Sequence, residues 1–344
     1  MSDDESNIPD RDTCQKLTEE FAQITDTNEA LAQTFLQDHE WKLEPSLNAY
    51  YEALMKEIEP TASPPKKLED PETVEKLFGD GKFVTTTPPS TLKFISWNLD
   101  GLDEHNLKKR TRAVISLIQK VEPDIIFFQE IIEESCDYIE NKLPEYHSVR
   151  GNSKRYFTLT MLRVFTVYYD KHHIFNYETS RMGRNLVSVD AHMGKLKLRL
   201  LNTHLESTAE HEEERRKQLK FGFKKGQETD EDTVVIYGGD LNLRDKDLNA
   251  LGGIPPGFND MWVYCGSPKE FQYTWDLTRN TNKEVPGRFK PKCRFDRIFV
   301  RNSKPARVIP KQFALCGAEK VPGTQSFPSD HWAVFVVFDV KHDA

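Results

Sequence analysis

The chain has 344 residues with 47 basic and 55 acidic side chains, which gives a formal net charge of −8. That length has room for one large domain and one small one. The charge is unevenly distributed: residues 1–90 carry 20 acidic and 8 basic side chains, whereas the rest carry 35 and 39. The slightly basic larger part permits a nucleic-acid substrate without requiring one.

Secreted and membrane-spanning classes are disfavoured. The N-terminal sequence MSDDESNIPDRD is acidic and has no apolar signal-peptide core. No segment approaches the ~18–20 apolar residues that span a bilayer. The five cysteines show no CxxC spacing, so we expect reduced thiols in a cytosolic or nuclear protein. Nothing indicates an obligate oligomer, and we expect a monomer.

Residues 12–57 are predicted to form three short helices with a small, aromatic core. The second helix has a candidate N-cap at Thr27 or Asp26. The pattern resembles the UBA-like family through Asn28, Ala32, Phe35, Leu36, Trp41, Leu43, Leu47, Asn48 and Tyr50. The resemblance implies binding of ubiquitin or ubiquitylated proteins through a shallow apolar face. A helical docking module without ubiquitin affinity is the alternative.

Residues 58–90 are rich in proline, threonine and charge, which predicts a linker. From residue 91 to the end at 344, candidate helices and strands alternate, which is typical of an α/β domain with a mixed sheet or paired sheets. The candidate helices are 107–121 and 208–224. The candidate strands include 92–98, 124–129, 157–169, 185–190, 196–203, 233–239, 294–300 and 332–340.

Four polar clusters follow short apolar runs that read as buried strands. The clusters are Asn98 in ISWNLDG, Glu130 in DIIFFQE, Asp240 with Asn242 in VVIYGGDLNLRD, and Asp330-His331 in FPSDHWAV. Ligands of α/β folds gather at the carboxyl ends of strands. Carboxylates, carboxamides and an Asp-His pair brought together there indicate a divalent-metal site that hydrolyses phosphoesters.

Each residue of this predicted site has a candidate role. Glu130 is suited to Mg²⁺, which prefers oxygen ligands and takes only one or two protein carboxylates, and Asn98 would support it. In an extended chain Asp240 and Asn242 share a face, so both would reach one attacking water. Taken alone, Glu130 is explained as a helix-capping acid, and GGDLN as a turn with an Asx hydrogen bond.

Two histidines have the chemistry to contact a phosphate. His331 precedes an apolar strand, and an imidazolium there would stabilise the transition state. Asp296, inside the strand CRFDRIFV, is the candidate carboxylate that orients it. His204 ends the strand LRLLNTHLES, with Ser207 nearby as a hydroxyl donor. A single histidine at a strand end is more often structural, which is the alternative for His204.

Several residues are candidates for DNA contact. Trp275 in QYTWD would offer a stacking face, or it is a core tryptophan. Arg244 would contact the DNA backbone or pair with Asp245. The basic segment 281–294 is predicted to be a loop near the DNA.

The motifs SWNLDGLD, FFQE, THLES, GGDLNLRD, QYTWD, RFDRIF and FPSDHW resemble the endonuclease/exonuclease/phosphatase superfamily over about residues 91–340. Within it they look like the 5′-tyrosyl-DNA phosphodiesterases. The resemblance implies a four-layer α/β sandwich with two packed sheets. It also implies Mg²⁺-dependent cleavage, with Mn²⁺ as a substitute, of the bond between tyrosine and a DNA 5′-phosphate. Such adducts arise from abortive topoisomerase II reactions and are removed in DNA repair.

The resemblance also implies roles for individual residues. Glu130, supported by Asn98, would bind the metal, and Asp240 with Asn242 would position the attacking water. Phosphate or DNA contacts fall to His204, Ser207, His331, Arg184, Asn185, Arg244 and Trp275. Asp296 would orient His331, and Asp330 would lie at the edge of the metal site. This substrate predicts location in the nucleus, with the cytoplasm as a further possibility.

Three alternatives stay open on the sequence alone. An abasic-site endonuclease and an inositol-phosphate phosphatase would use the same fold. The third alternative is not an enzyme: it is a ubiquitin-binding adaptor whose α/β domain is inactive. The narrow THLES and TWD motifs disfavour the first two, and intact Glu130, Asp240, Asn242 and His331 disfavour the third.

Overall fold

The computed structural model describes residues 9–25, 29–43, 45–47, 49–50, 88–152, 155–285 and 288–342. The chain divides into two compact units, one comprising 1–81 with 321–325, and the other 82–320 with 326–344. Most of the predicted linker and the predicted end of the third helix lie outside the described residues. The predicted N-cap at Thr27 or Asp26 also lies outside them.

The N-terminal unit contains helices α1 (Arg11–Thr25) and α2 (Glu29–Asp38), followed by helical positions at 45–47 and 49–50. Asp10 begins α1, because its Oδ1 accepts hydrogen bonds from the backbone N of Asp12 and of Thr13. The core is aromatic, as predicted: the rings of Phe21, Phe35 and Tyr50 lie 5.4–6.1 Å apart, centroid to centroid. These rings provide much of the apolar burial available to so small a unit.

The larger unit contains a first six-stranded sheet in the order β13-β14-β1-β2-β4-β3. Within it β1 and β2 are parallel, and the other neighbours are antiparallel. The strands are β1 (Thr91–Asn98), β2 (Ile125–Ile131), β3 (Tyr146–Arg150), β4 (Phe157–Arg163), β13 (Val308–Cys316) and β14 (Ala333–Val340).

A second six-stranded sheet has the order β5-β6-β7-β8-β12-β9, with β7 and β8 parallel. Its strands are β5 (Tyr168–Asn176), β6 (Asn185–Met193), β7 (Leu196–His204), β8 (Thr233–Asp240), β9 (Phe258–Asp260) and β12 (Asp296–Arg301). A separate pair joins β10 (Trp275–Asp276) to β11 (Lys292–Cys293).

The two sheets face each other across the main apolar core, and helices cover both outer faces. Helices α3 (Leu107–Val121) and α4 (Glu133–Lys142) pack on the first sheet, and α5 (Glu212–Gln227) packs on the second. Shorter helical segments are α6 (Asp245–Ala250), α7 (Met261–Tyr264) and a 3₁₀ turn at Lys269–Phe271. The predicted four-layer α/β sandwich with two packed mixed sheets is therefore confirmed.

The predicted strand 157–169 is wrong as a single element. β4 ends at Arg163 and β5 begins at Tyr168. Between them the backbone turns, with the backbone N of Thr166 and of Val167 donating to the carbonyl of Arg163. The apolar run continues through this turn, so hydrophobicity alone did not indicate the break.

Among the described residues, no helix combines the length and the apolar character needed to cross a bilayer.

Candidate active site

The four predicted clusters meet at one edge of the sandwich. The parallel pairs β1–β2 and β7–β8 align their carboxyl ends, with Asn98 opposite Gln129 and His204 opposite Asp240. The Asn98 Nδ2 donates to Asp240 Oδ2 at 2.9 Å, which joins the ends of the two sheets. Residues 142 positions apart in the sequence thus share one hydrogen bond.

Two site residues adopt the left-handed backbone conformation, which is uncommon for residues other than glycine. Glu130 has φ 51° and Asn242 has φ 48°. The β2–β4 register shifts between Phe128 and Ile131, which turns Glu130 out of the regular ladder. The loop after β1 approaches Glu130 closely, and this approach requires glycine at position 101. The Gly101 N donates to the Glu130 carbonyl, and a Cβ on Gly101 would lie 2.3 Å from that oxygen. Such strain often marks functional positions.

The Asp240 carboxylate is buried and held from several sides. Its Oδ1 accepts from the backbone N of Asn242 at 3.0 Å, and its Oδ2 accepts from Asn98. Burial and the nearby Asp296 carboxylate raise the pKa of Asp240, while His331 and these hydrogen bonds oppose that shift. A carboxylate held in this way can accept a proton from a water beside it.

The predicted extended geometry from Asp240 to Asn242 is wrong, because Asn242 is left-handed. The Asx hydrogen bond that was the simpler explanation of GGDLN is present. The Asn242 Nδ2 donates to the carbonyl of Leu205 at 3.2 Å, which ties the end of β8 to the segment after β7. A contact of Asn242 with the attacking water stays a prediction.

His204 is buried and neutral. The Arg184 Nη1 lies 2.7 Å from His204 Nδ1, and a guanidinium can only donate, so Nδ1 is the acceptor and Nε2 carries the proton. That Nε2 lies 3.3 Å from Asp240 Oδ2 and 3.7 Å from Glu130 Oε1. Burial, together with the charges of Arg184 and His331, holds the pKa of His204 well below its usual value.

His331, in contrast to His204, favours the protonated form. Its Nδ1 donates to Asp296 Oδ2 at 2.8 Å, as the sequence predicted. Burial alone would lower the pKa of His331, but Asp296, Asp330 and Asp240 raise it well above its usual value. The Nε2 lies 3.9 Å from Asp240 Oδ2 and 4.0 Å from Asp330 Oδ1, so a protonated imidazole presents a positive edge between two carboxylates.

Asp296 is the first residue of β12 and not an interior strand residue as predicted. Its backbone N donates to Thr274 Oγ1, and it lies opposite Asp240 in the β8–β12 ladder. This register explains how Asp296 and Asp240 come to lie on two sides of His331.

The residues present fit a divalent cation. Carboxylate oxygens of Glu130 and Asp240 lie within 4.8 Å of one another, and the Asn98 carboxamide adjoins Asp240. His204 is not a ligand in the tautomer assigned above, because its Nε2 carries the proton and its Nδ1 accepts from Arg184. Burial and the carboxylates of Asp330 and Asp240 raise the pKa of Glu130. Because a bound cation would offset this crowding of negative charge, the donor set favours an ion with oxygen ligands.

Asp330 connects the site to the β10–β11 pair. Its Oδ2 accepts from Trp275 Nε1 at 3.1 Å. The Trp275 ring is half-buried and lies 5.6 Å from the Phe295 ring, centroid to centroid. Trp275 is thus fixed beside the site, and stacking on a base stays a prediction.

The remaining predicted DNA contacts lie around this centre. Ser207 Oγ donates to Met182 Sδ at 3.1 Å, and Asn185 Nδ2 donates to the carbonyl of Asn152. Arg244 lies at the start of α6. The alternative of an Arg244–Asp245 pair is not what the described residues show, since Asp245 pairs with Arg297 at 2.6 Å.

The sequence prediction missed the residues that hold these groups in place. Glu206 is fully buried and accepts hydrogen bonds from Ser180 Oγ and from the backbone N of Arg181 and Met182, which positions the loop before Arg184. Arg184 also lies over the Tyr156 ring, 5.0 Å from its centroid. An acidic residue two positions after the end of a buried strand, as Glu206 is after β7, was an available signal.

Asp100 is a second missed acidic residue. It is buried two positions after Asn98, and its backbone N donates to Asn98 Oδ1 at 2.9 Å. Burial and the nearby Asp330 carboxylate raise the pKa of Asp100 to about 7, against the opposing charges of Lys283 and Arg110. Asp100 therefore lies beside Asp330, the carboxylate that also raises the pKa of Glu130.

Comparison with known proteins agrees with this geometry. The model of the Endonuclease/Exonuclease/phosphatase family matches residues 95–331, and that of the UBA-like domain matches residues 15–56. Tyrosyl-DNA phosphodiesterase 2 of Homo sapiens is 36% identical over 334 residues, covering 93% of this chain and 91% of the relative.

Two solved structures show the same similarity. The crystal structure of D. rerio TDP2 complexed with single strand DNA product is 39% identical with a TM-score of 0.70, covering 73% of this chain and 100% of that one. The crystal structure of TDP2 from C. elegans is 32% identical with a TM-score of 0.67, covering 98% and 97%. The chain therefore belongs to the endonuclease/exonuclease/phosphatase family, among the tyrosyl-DNA phosphodiesterase 2 proteins, and is a phosphodiesterase with an N-terminal UBA-like domain.

Proposed function

We propose that this phosphodiesterase hydrolyses the bond between tyrosine and a DNA 5′-phosphate, with Mg²⁺ as the cofactor. The observation that carries the proposal is the Asp240 carboxylate, held by Asn98 and by the Asn242 backbone, with the His331 Nε2 3.9 Å away. A base and a positive imidazole edge thus lie side by side, where one can activate a water and the other can stabilise the charge of a phosphoryl group.

In this mechanism Asp240 accepts a proton from a water, whose oxygen attacks the phosphorus. The bond from phosphorus to the tyrosine oxygen breaks, which leaves a 5′-phosphate on the DNA and a tyrosine phenolate. The phenol has a pKa near ~10, so the phenolate leaves without a strong general acid and takes its proton from solvent. His331, held by Asp296, donates to a phosphoryl oxygen as negative charge develops there.

Glu130, with Asn98 beside it, would hold the Mg²⁺, and Mn²⁺ would substitute. When bound, the ion polarises the phosphoryl oxygens and offsets their charge. The crowded carboxylates of Glu130, Asp240 and Asp330 support this assignment, since burial and the charges of Asp330 and Asp240 raise the pKa of Glu130.

The substrate proposal extends to protein adducts. The Homo sapiens relative is named for tyrosyl-DNA, and the D. rerio structure holds a single strand DNA product. We place Arg184, Ser207, Asn185, Arg244 and Trp275 along the DNA or its 5′-phosphate. The enzyme would release trapped topoisomerase II from DNA ends during repair in the nucleus, with the UBA-like domain binding ubiquitin.

A comparison of three substrates tests the proposal. Purified full-length chain with Mg²⁺ is incubated with a 5′-phosphotyrosyl oligonucleotide, an abasic duplex or an inositol phosphate. The proposal expects rapid tyrosine release from the first and at least about a hundredfold lower kcat/KM on the others. Preference for the abasic duplex or the inositol phosphate would overturn the substrate assignment and leave the family assignment intact.

A further inference from the structure

The acidic edge of the site contains a lysine that the proposed mechanism does not use. Asp100 is buried beside the centre, and Asp103 follows on the same loop. Lys283 Nζ lies 2.8 Å from Asp100 Oδ2 and 2.8 Å from Asp103 Oδ2. A primary ammonium thus bridges two carboxylates that come from a distant part of the sequence.

The nearby Arg110 does not take over this role. It lies 3.9 Å from Asp100 Oδ2, beyond hydrogen-bond distance. Its guanidinium donates instead to the backbone carbonyls of His105, Leu99, Pro328, Asp100 and Asp103. The charge of Asp100 is therefore matched at contact distance by Lys283.

Lys283 is held there by its own loop. Two asparagines anchor that loop to the segment before Asp330. Asn280 Nδ2 donates to the Ser329 carbonyl and Asn282 Nδ2 donates to the Phe327 carbonyl, both at 2.9 Å. The backbone N of Phe327 donates back to Asn282 Oδ1 at 2.7 Å. The lysine is thus carried by an anchored backbone, which lowers the entropy cost of keeping its ammonium in place.

We propose that Lys283 is a tethered cation that competes with divalent ions for the Asp100 carboxylate and so weakens ion binding at the site. Asp100 adjoins the site through Asn98, whose Oδ1 accepts from the Asp100 backbone N at 2.9 Å. Without the ammonium its carboxylate would offer a further oxygen ligand there, because carboxylates are preferred ligands of hard divalent ions. This inference rests on the divalent site of the proposed function and adds a residue that sets its affinity.

Mn²⁺ binding tests the inference without relying on activity. Free Mn²⁺ is measured by electron paramagnetic resonance during titration of full-length wild type, Lys283→Met and Lys283→Arg. Removing the ammonium should tighten Mn²⁺ binding by about tenfold, since the positive charge that holds the Asp100 carboxylate is lost. Lys283→Arg keeps the charge and should bind as the wild type does. Lys304→Met, which removes an exposed pair with Glu231, is the matched control and should have no effect.

A double variant identifies Asp100 as the residue released. In Lys283→Met with Asp100→Asn, the tighter binding should disappear. Unchanged or weaker Mn²⁺ binding by Lys283→Met would overturn the inference, as would a gain that survives Asp100→Asn. No Mn²⁺ binding by wild type and by Lys283→Met alike would instead contradict the divalent site of the proposed function.

Discussion

At the residue scale, the site depends on pairs that are far apart in the sequence. Asp296 and His331 are separated by 35 positions, and Asn98 and Asp240 by 142. The sequence predicted Asn98, Asp240 and His331 from clusters that follow apolar runs, and Asp296 as a carboxylate inside an apolar strand that would orient His331. It did not predict Lys283, since the partner of a surface-like lysine does not follow from local pattern. It also did not predict Glu206, although the place of this residue just after a buried strand was an available signal.

Replacing the carboxylate that holds His331 tests that pair. Asp296→Asn keeps the shape and a hydrogen-bond acceptor but removes the charge that favours the imidazolium. We expect kcat on a 5′-phosphotyrosyl oligonucleotide to fall by roughly two to four orders of magnitude with little change in KM. Steady-state kinetics measures both quantities.

Asp232→Asn provides the matched control, because Asp232 forms an exposed pair with Lys197 and should leave kcat unchanged. A kcat of Asp296→Asn within about threefold of wild type would contradict the role given to Asp296.

Arg184 offers a second test at this scale. Its guanidinium fixes the proton of His204 on Nε2, facing Asp240. In Arg184→Met that constraint is lost, and kcat should fall by roughly tenfold to a hundredfold. The ¹⁵N chemical shifts of the His204 ring distinguish the tautomers: a wild-type ring protonated on Nδ1 would contradict the assignment.

At the element scale, the strand ends were predictable where buried runs stop at polar residues. The helix predicted at 107–121 coincides with α3, and 233–239 is β8 without its last residue. Strands β3, β5 and β13 were not predicted, because several of their side chains are polar or exposed and the period-two signal is weak. The left-handed turns at Glu130 and Asn242 were also missed, since they depend on contacts between elements.

Gly239 determines how closely β7 and β8 approach just before Asp240. Its φ is 128°, and a Cβ there would lie 2.1 Å from the Thr203 carbonyl oxygen. Gly239→Ala should therefore lower the free energy of unfolding by about 3 kcal/mol or more. Urea denaturation, followed by the fluorescence of the larger unit's tryptophans, measures the change.

Gly252→Ala is the matched comparison. Gly252 also has a positive φ, 83°, but a Cβ there would meet no atom within 4 Å. Its cost should be limited to backbone strain of about 1 kcal/mol. Equal destabilisation by the two substitutions would show that the close approach of β7 and β8 is not the cause.

At the scale of the whole molecule, the chain combines a UBA-like unit of few core residues with a four-layer catalytic unit. The layers follow from two amphipathic sheets that bury one face on each other and the other under helices. The sequence predicted this division from composition and from family resemblance. The strand order within each sheet, which places β1, β2, β7 and β8 together, requires the structure.

Ubiquitin binding by the UBA-like unit can be tested separately from catalysis. Adding the full-length chain to ¹⁵N-labelled ubiquitin should shift a contiguous set of ubiquitin amide resonances, as weak binding through an apolar face does. Nuclear magnetic resonance titration measures the shifts. Unshifted spectra at millimolar chain would favour a docking module without ubiquitin affinity.

The most direct test of the central claim is single-turnover release of tyrosine from a 5′-phosphotyrosyl oligonucleotide in Mg²⁺, by wild type and by Asp240→Asn. Asp240→Asn keeps the side-chain shape but removes the base. The account predicts rapid release by wild type, a DNA product that carries a 5′-phosphate, and a rate reduced by about a thousandfold or more in Asp240→Asn. Equal rates for the two proteins, or no tyrosine release by wild type, would contradict it.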